Sequence, residues 1–578
     1  MRRIAILGGG PSALFILKRL IEFLTPDTEI MIFERNRILG AGMPYSKDGA
    51  CVEHITNVSG NEIPHIVTPI TEWIKAAPHS LLKKFNIEVA SFHEYEVVPR
   101  LLFGEYLAAQ FGMLLEIGRS KGFAIVTTLD TTVADIHHDK EKNKVIVYSN
   151  EGEEWHFDYV IIATGHHWPK SHEGSVPNWF DSPYPPSKLA MKLNTRMAIR
   201  GSSLTAIDAL RTVAHSNGTF TPREDGMLNF HLNPESKGLK IDMYSLKGLL
   251  PAIRFHLDDP SLSRDTTFSE EEINAIREAN DGFVPLDLIF DEKFKRPIQE
   301  HNPAFYEAVR HMKMEEFVEH VMAMREQRDP FHLFKEEYKE AKQSIRRKES
   351  IYWKEELAVL SYVINYPAKY FSAEDMLRLK EKLMPLIAII IAFVPQGSCQ
   401  ELLALYDTGI LSLIDVDKDS EVKPLKEGGA LYTYTDENGE MHVKKYSVFI
   451  DAVGQRAFMY EEFPFKSLLN AGSVSPAALR FKDQAKGEQE WQDDNRMVRR
   501  DSSGRYFLNV PGININDNFQ VLDSSGTCNE RVYMMAVPYM GGLNPDYSGL
   551  DFCERASEKI VKGMLAAVSS HTRAEYKC

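Results

Sequence analysis

Short apolar runs ending on small residues recur along this chain, and several lead directly into segments with helical spacing. Ile4-Ala5-Ile6-Leu7, Glu29-Ile30-Met31-Ile32-Phe33, Tyr159-Val160-Ile161-Ile162 and Met197-Ala198-Ile199-Arg200 have the length and continuity of strands buried in a parallel sheet. Val532 to Val537 is another such run near the end of the chain. Leu14 to Leu24 reads as an amphipathic helix. Arg100 opens a second helix reaching about Ile117, a third runs through Ile207 to Leu210, and a fourth runs from Leu550 to about Ala567. Val52 to Asn57 predicts a strand running into a loop. Alternation in Phe123-Ala124-Ile125-Val126 and in Lys144 to Tyr148 predicts a small antiparallel meander.

The pattern changes beyond Leu239 to Tyr244, a further strand. From about Ser261 to Leu383 the chain is long, charged and helical, with Pro303 to Arg325 and Phe331 to Leu357 as examples. Arg346-Arg347-Lys348 falls in such a helix and reads as a solvated face. Strands resume at Gly429 to Thr435 and Val443 to Asp451, and Asn438-Gly439 marks a hairpin between them. Tyr446 to Gly454 echoes the strand that ends at Gly165, which predicts that the chain leaves its first domain and later returns to it. The expected division is 1–190 and 431–578 for the first domain, 191–260 and 384–430 for the second, and 261–383 for a helical insertion.

The candidate chemistry begins where the first strand ends. Gly8-Gly9-Gly10-Pro11-Ser12-Ala13 is a G-x-G-x-x-A loop between strand and helix. Gly8 permits the tight turn, Gly10 admits a pyrophosphate to the backbone, and Ala13 lets helix and strand pack closely. Glu34 closes the second strand about twenty residues on, where a carboxylate accepts bonds from a ribose diol. A second glycine turn, Gly40 to Tyr45 with Gly42 at its centre, is placed to cover the phosphates. Ala163-Thr164-Gly165-His166 is a small-residue turn suited to close approach of a ligand.

Gly201-Ser202-Ser203-Leu204-Thr205-Ala206 repeats the strand–loop–helix arrangement in weaker form, with Ser203 where the second glycine would stand. Two such loops predict two nucleotides meeting near a domain interface. Ser245 and Lys247, after the strand that follows, suit a 2′-phosphate and so favour NADPH; Lys247 reads equally well as a solvated loop charge. Near the end, Gly541 to Gly549, including Gly542, leads into the helix at Leu550. Its backbone N–H groups suit the negative charge of a reduced flavin, or the segment simply closes the fold.

Composition narrows the classes. The 578 residues exceed one core and predict two to four domains. With 67 basic against 82 acidic residues the net charge is −15, and no basic patch interleaves with aromatics, so nucleic acid is not an expected partner. Cys51, Cys399, Cys528, Cys553 and Cys578 show no C-x-x-C spacing. That argues against a disulfide framework, a metal site or a redox dithiol, and points to the cytoplasm. Glycines break the first apolar run too early for a signal peptide. Leu386 to Val394 lies between two prolines and is far short of the roughly 20 residues a span needs. It reads as buried core, and no membrane association is expected.

Together these features resemble the flavoproteins with two dinucleotide-binding domains. Within them the chain is similar to a bacterial group of FAD/NAD(P)-binding proteins distantly related to N-hydroxylating and other class B flavin monooxygenases. The resemblance rests on Gly8 to Ala13, Gly40 to Tyr45, Arg100 to Leu107, Ala163 to His166, Gly201 to Asp208, Ser245 to Pro251 and Gly541 to Asp551. It implies an α/β fold of two Rossmann-like domains with a helical insertion, FAD in the first domain and NADPH or NADH in the second. The expected cofactor-binding set is Gly8, Gly10, Pro11, Ser12, Ala13, Glu34, Gly42, Tyr45, Arg100, Thr164, Gly165, Gly201, Ser203, Thr205, Ser245, Lys247, Gly454, Gly542 and Leu550. The chain departs from those hydroxylases in its weak second glycine loop and its large helical block.

The implied activity is an FAD-dependent, NAD(P)H-using monooxygenase that oxidises a small soluble molecule with molecular oxygen, an amine nitrogen being one target. The flavin carries the chemistry, which accounts for the lack of any Ser-His-Asp or metal-ligand constellation. His166, with His167 and Trp168, either lines the cleft or packs in a loop, and Asn57 either sits beside the flavin or does not. Two alternatives stand: a flavin reductase or dehydrogenase without oxygen insertion, and a non-catalytic flavoprotein that docks a protein through its helical block.

Overall fold

Five parallel strands carry the first domain. Arg2–Leu7 lies at the centre, with Ile4 opposite Ile30 of Thr28–Phe33 on one side and opposite Tyr159 of Tyr159–Ile162 on the other. Ala124–Thr128 extends the sheet beyond Thr28–Phe33, Cys528–Met534 extends it beyond Tyr159–Ile162, and Gln520–Leu522 adds an antiparallel edge. The computed structural model describes residues 2–257, 267–436, 438–546 and 549–575, with side chains described as far as residue 566. The expected boundary near Ser261, Glu437 of the hairpin, Tyr547 and Ser548 of the glycine-rich loop, and Cys578 lie outside the described residues.

Phe123 to Val126 does not join a meander, as its alternation predicts. Ile125 pairs in parallel with Ile30, because the strand beside it leaves an open edge that this segment fills. The meander is built instead from Val133–Asp139, Lys144–Ser149 and Glu154–Phe157. Helix Pro11–Phe23 starts directly after Gly10 with proline in its first turn, where the missing N–H is no loss. Its far side packs on the last helix, Leu550–Glu575, where Lys18 lies 3.0 Å from Glu554 and Arg19 pairs with the same carboxylate. Helix Arg100–Ser120 is long and apolar enough to cross a membrane by length and composition. Half of it is buried within the fold, with Leu102, Phe103, Leu107 and Phe111 fully enclosed.

The second sheet is parallel throughout, in the order Trp179–Phe180, Phe449–Asp451, Arg196–Arg200, Lys240–Leu246, Leu411–Val416. Phe449–Asp451 therefore belongs to the second domain, and the echo of the Gly165 strand marks no return to the first. The second domain holds the chain past 431, through Asp451. Aromatic packing explains why: Tyr446 Oη donates to Asp242 at 2.6 Å and lies 2.7 Å from Tyr244 Oη. Tyr432, on the hairpin strand Ala430–Thr435, stacks on Tyr244 with centroids 3.6 Å apart.

The helices of residues 269–391 bridge the two domains. Phe290, Phe294 and Phe317 merge with the first domain's core, whereas Phe331, Phe334 and Tyr338 of Pro330–Arg347 join the second's. The two long helices expected here are each broken. Pro303–Val309 gives way to Met314–Glu326, whose start is closed by Glu316 reaching back to the Lys313 N–H at 2.8 Å. Pro330–Arg347 ends at Lys348, which takes a left-handed φ of 56°, before Tyr352–Ile364 begins. Arg346, Arg347 and Lys348 are exposed. Met384–Ile390 takes up most of the late apolar run, burying Leu386, Ile387 and Ile390.

Candidate functional site

The two glycine loops are built alike. At the first, Gly8 has φ 108°, its N–H donates to Phe33 O at 2.8 Å, and a β-carbon there would stand 2.6 Å from Ala163 O. At the second, Gly201 has φ 110°, its N–H donates to Tyr244 O at 2.8 Å, and a β-carbon would stand 2.7 Å from Ala452 O. Only glycine fits either position. Ala163-Thr164-Gly165 and Ala452-Val453-Gly454 are thus equivalent turns in two domains.

A cavity of about 1280 Å³ opens at the first loop. Gly8, Gly10, Pro11 and Ser12 form one wall, Glu34 and the Gly42–Tyr45 turn border it, and Asn57, Thr164, Gly165 and His166 continue it. Leu550 reaches it from the last helix, and Ser203 and Leu204 reach it from the second domain. Glu34 accepts from the Gly9 N–H at 2.6 Å and the Asn36 N–H at 2.9 Å, so its carboxylate is fixed at the strand end. The Asn57 carbonyl accepts from Arg254. His166 Nδ1 donates to Gln455 Oε1 at 2.6 Å, which ties the first domain's turn to the residue after Gly454. Burial lowers the pKa of His166 and favours its neutral form. Tyr45 packs edge-on against Phe103, and burial pushes its hydroxyl up to about 12.

Several expected site residues stand elsewhere. Arg100 does not border the cavity; its guanidinium lies 2.5 Å from Asp208 Oδ2 and donates to Ile55 O at 3.1 Å. A carboxylate in the second domain therefore claims it. Ser245 is buried, with its hydroxyl donating to Leu249 O at 2.6 Å and lying 2.8 Å from Ser202 Oγ, which leaves it unavailable to a phosphate. Lys247 is 57% exposed and 3.5 Å from Glu326 of the helical block. Gly542 packs under Pro511, whose carbonyl oxygen would lie 2.2 Å from an added β-carbon. Ala13 is buried between helix and sheet, and Thr205 and Gly454 face each other beside the second loop.

Sequence reading missed the far wall. Tyr362, Asn365, Tyr366 and Lys369 of the helical block line the cavity together with Asp551, Arg555 and Lys559 of the last helix. Their signal was present as polar residues at helical spacing, i, i+3, i+4, i+7 on one segment and i, i+4, i+8 on the other. Asp546 is held by Asn365, which donates to its carbonyl at 3.0 Å and accepts from its N–H at 2.9 Å. Burial pushes the Asp546 and Asp551 carboxyls up to about 6, Asp551 adding to the effect on Asp546. Thr164 Oγ1 and Asn544 Nδ2 are buried at the cavity with no hydrogen-bond partner among the described residues.

Residues 5–167 match the family model described as FAD-NAD(P)-binding. That stretch of the first domain is similar to an FAD-NAD(P)-binding domain. Residues 269–391 match the model of a YdhS-like middle domain. Among curated proteins, the uncharacterized protein YdhS of Escherichia coli (strain K12) is 28% identical over 472 residues, covering 81% of this chain and 86% of the relative. Solved structures similar to the chain include the ornithine N-hydroxylase of Kutzneria sp. 744, at 12% identity and TM-score 0.47 over 98% of this chain and 99% of that one. Reduced ornithine hydroxylase from Pseudomonas aeruginosa matches at 10% identity and TM-score 0.49, over 98% of each chain. Lactococcus lactis thioredoxin reductase matches at 9% identity and TM-score 0.39, over 99% of this chain and 100% of that one.

The first domain fits a dinucleotide on local grounds. Gly10 lies against Gly42, a β-carbon at Gly10 standing 3.3 Å from the Gly42 Cα, so the loop offers bare backbone where a pyrophosphate needs N–H donors. The orphaned Thr164 hydroxyl and Asn544 amide supply polar partners that the protein alone leaves unused.

Proposed function

We propose that this chain is an FAD-dependent, NAD(P)H-using oxidoreductase, and specifically a monooxygenase acting on a small molecule with molecular oxygen. The observation that carries this reading is the shared cavity: the first glycine loop, the helix start at Ser203 and Leu204, and the helical block all border one space. At about 1280 Å³ it exceeds the roughly 300–1,000 Å³ of a usual single-ligand pocket. A bound flavin would supply hydride acceptance and oxygen chemistry.

The chain's own residues place and dry that chemistry. Gly10 and Ser12 would hold the pyrophosphate at the positive end of helix Pro11–Phe23, and Glu34 would take the ribose. Ala388 and Ile391 of the helical block, with Ala392 just after it, give the cavity an apolar flank that excludes water. His166, neutral and with Nδ1 committed to Gln455, keeps Nε2 as a proton acceptor at the turn. The block's place in the wall favours a role in substrate enclosure over partner docking.

The deciding experiment mixes NADPH-reduced holoenzyme with oxygen in a stopped-flow spectrometer. A transient spectrum distinct from oxidised and reduced flavin, prolonged by NADP⁺, is the expected result. A direct return to oxidised flavin with stoichiometric peroxide, unchanged by NADP⁺, would establish the reductase reading instead.

A further inference from the structure

One corner of the cavity gathers more positive charge than the described residues around it neutralise. Lys369 of the helical block is matched, lying 2.8 Å from Asp517, whose other oxygen accepts from Tyr370 Oη at 2.5 Å. Arg555 is not matched. Its guanidinium donates to Thr267 Oγ1 at 3.0 Å and to Tyr362 Oη at 3.4 Å, both neutral, and among the described residues no carboxylate lies within ion-pair distance of it. Lys559, one turn on, stands 3.7 Å above the Tyr366 ring, and its nearest carboxylate is Glu270 at 3.5 Å, which is 66% exposed. Burial and the neighbouring Lys369 bring Lys559 down to about 8.

Cations crowded away from water are costly unless an anion joins them. Asp517 and Glu270 offset part of the charge on Lys559, and Glu558, which also feels Arg555, is paired with Lys562 at 2.5 Å. Asp551, one turn before Arg555, makes no ion pair with it and is pushed up to about 6, and Glu272 is spent on the Ser269 N–H at 2.7 Å. Arg555 and Lys559 also line an adjoining hollow of about 330 Å³ that opens beside Ser269 and Lys293. The positive corner therefore sits where the main cavity meets a second opening.

We propose that Arg555 and Lys559, beside the Lys369–Asp517 pair, form an anion subsite that takes the carboxylate or phosphate group of the substrate, a role that rests on the oxidoreductase reading of the cavity. The last helix rises about 1.5 Å per residue, so Lys559 stands roughly 12 Å along it from Asp551. An elongated molecule held by its acidic end would present its other end to the wall of Ser12 and Asp551. The subsite selects small organic acids and organic phosphates, and rejects plain amines.

The test measures thermal stabilisation of the purified protein by malonate and by inorganic phosphate, with flavin content and NADPH kinetics followed in parallel. Both probes should stabilise the unaltered protein saturably, and the stronger one identifies the acidic group. Arg555→Gln and Lys559→Gln should each weaken that effect about tenfold or more, as expected for a charge-assisted contact. Arg555→Lys should restore part of it, with flavin content and the KM for NADPH unchanged. Equal stabilisation of Lys559→Gln and the unaltered protein, or no saturable response, would overturn the subsite. A KM for NADPH that rises in step would also overturn it and assign the cations to the nucleotide. Protein that takes up no flavin under saturating FAD yet shows the Arg555-dependent response would overturn the oxidoreductase reading and keep the subsite.

Discussion

Arg100 Nη1 stands 2.5 Å from Asp208 Oδ2, an ion pair that fastens the first domain to the nucleotide-loop helix of the second. Tyr184 Oη donates to the same carboxylate oxygen at 3.1 Å, and His54 Nε2 lies 3.0 Å from Thr212 Oγ1 one turn further on. Burial alone would push the Asp208 carboxyl up, but Arg100 and His54 hold it below the usual range. Removing one partner leaves a buried charge. Asp208→Ala should therefore destabilise the protein by about 3–5 kcal/mol in urea unfolding, and adding Arg100→Met should recover part of the loss.

Flavin retention tests the first loop. Gly10→Val inserts a branched side chain against Gly42, where an added β-carbon already approaches to 3.3 Å. The purified variant should keep its far-UV circular dichroism and lose the visible absorbance of bound FAD. Retained FAD would remove the pyrophosphate from this loop.

Nucleotide preference tests the second. Ser245 is tied to Leu249, whereas the half-exposed Lys247 side chain pairs with Glu326 at 3.5 Å and can turn to a 2′-phosphate. A charge-assisted bond contributes roughly 1.5–3 kcal/mol. Lys247→Ala should raise the KM for NADPH about tenfold or more in flavin-reduction kinetics and leave NADH unchanged, a split that a structural role would not produce.

Asp546 gives a pH signature. Its carboxyl is pushed up to about 6 by burial first and Asp551 second, so the folded protein keeps a proton that the unfolded chain releases at about 3.9. Stability then falls as pH rises from about 4 to about 6, and the penalty persists above that. Asp546→Asn should stabilise the apoprotein on the order of 2 kcal/mol at pH 8 and clearly less at pH 5, read from unfolding at the two values.

The first sheet and its loop could be read locally, because Ile4 to Leu7, Gly8 to Ala13 and Glu34 carry strand, turn and acid within one short stretch. The second loop was legible for the same reason, even with Ser203 in place of a glycine. What failed was assignment at a distance. Tyr446 to Gly454 resembles the Gly165 strand because it performs the same task in the other domain, and only its pairing with Arg196–Arg200 shows which domain owns it. Arg100 looked like a ligand contact because nothing near it in sequence reveals Asp208. The cavity's far wall joins Tyr362 and Lys369 to Arg555 and Lys559, segments nearly two hundred residues apart, and neither half has meaning alone.

Strand Cys528–Met534 beside Tyr159–Ile162, and helix Leu550–Glu575 against Pro11–Phe23, set an order of events for the ribosome. The opening strand meets both of its neighbours, Thr28–Phe33 and Tyr159–Ile162, early, but Tyr159–Ile162 waits for Cys528–Met534 and helix Pro11–Phe23 waits for Leu550–Glu575. Domains usually complete themselves as they emerge, N-terminal first. Here the first sheet and its loop helix are completed only by segments beyond residue 527, so the first domain closes after the segments of the second have been made.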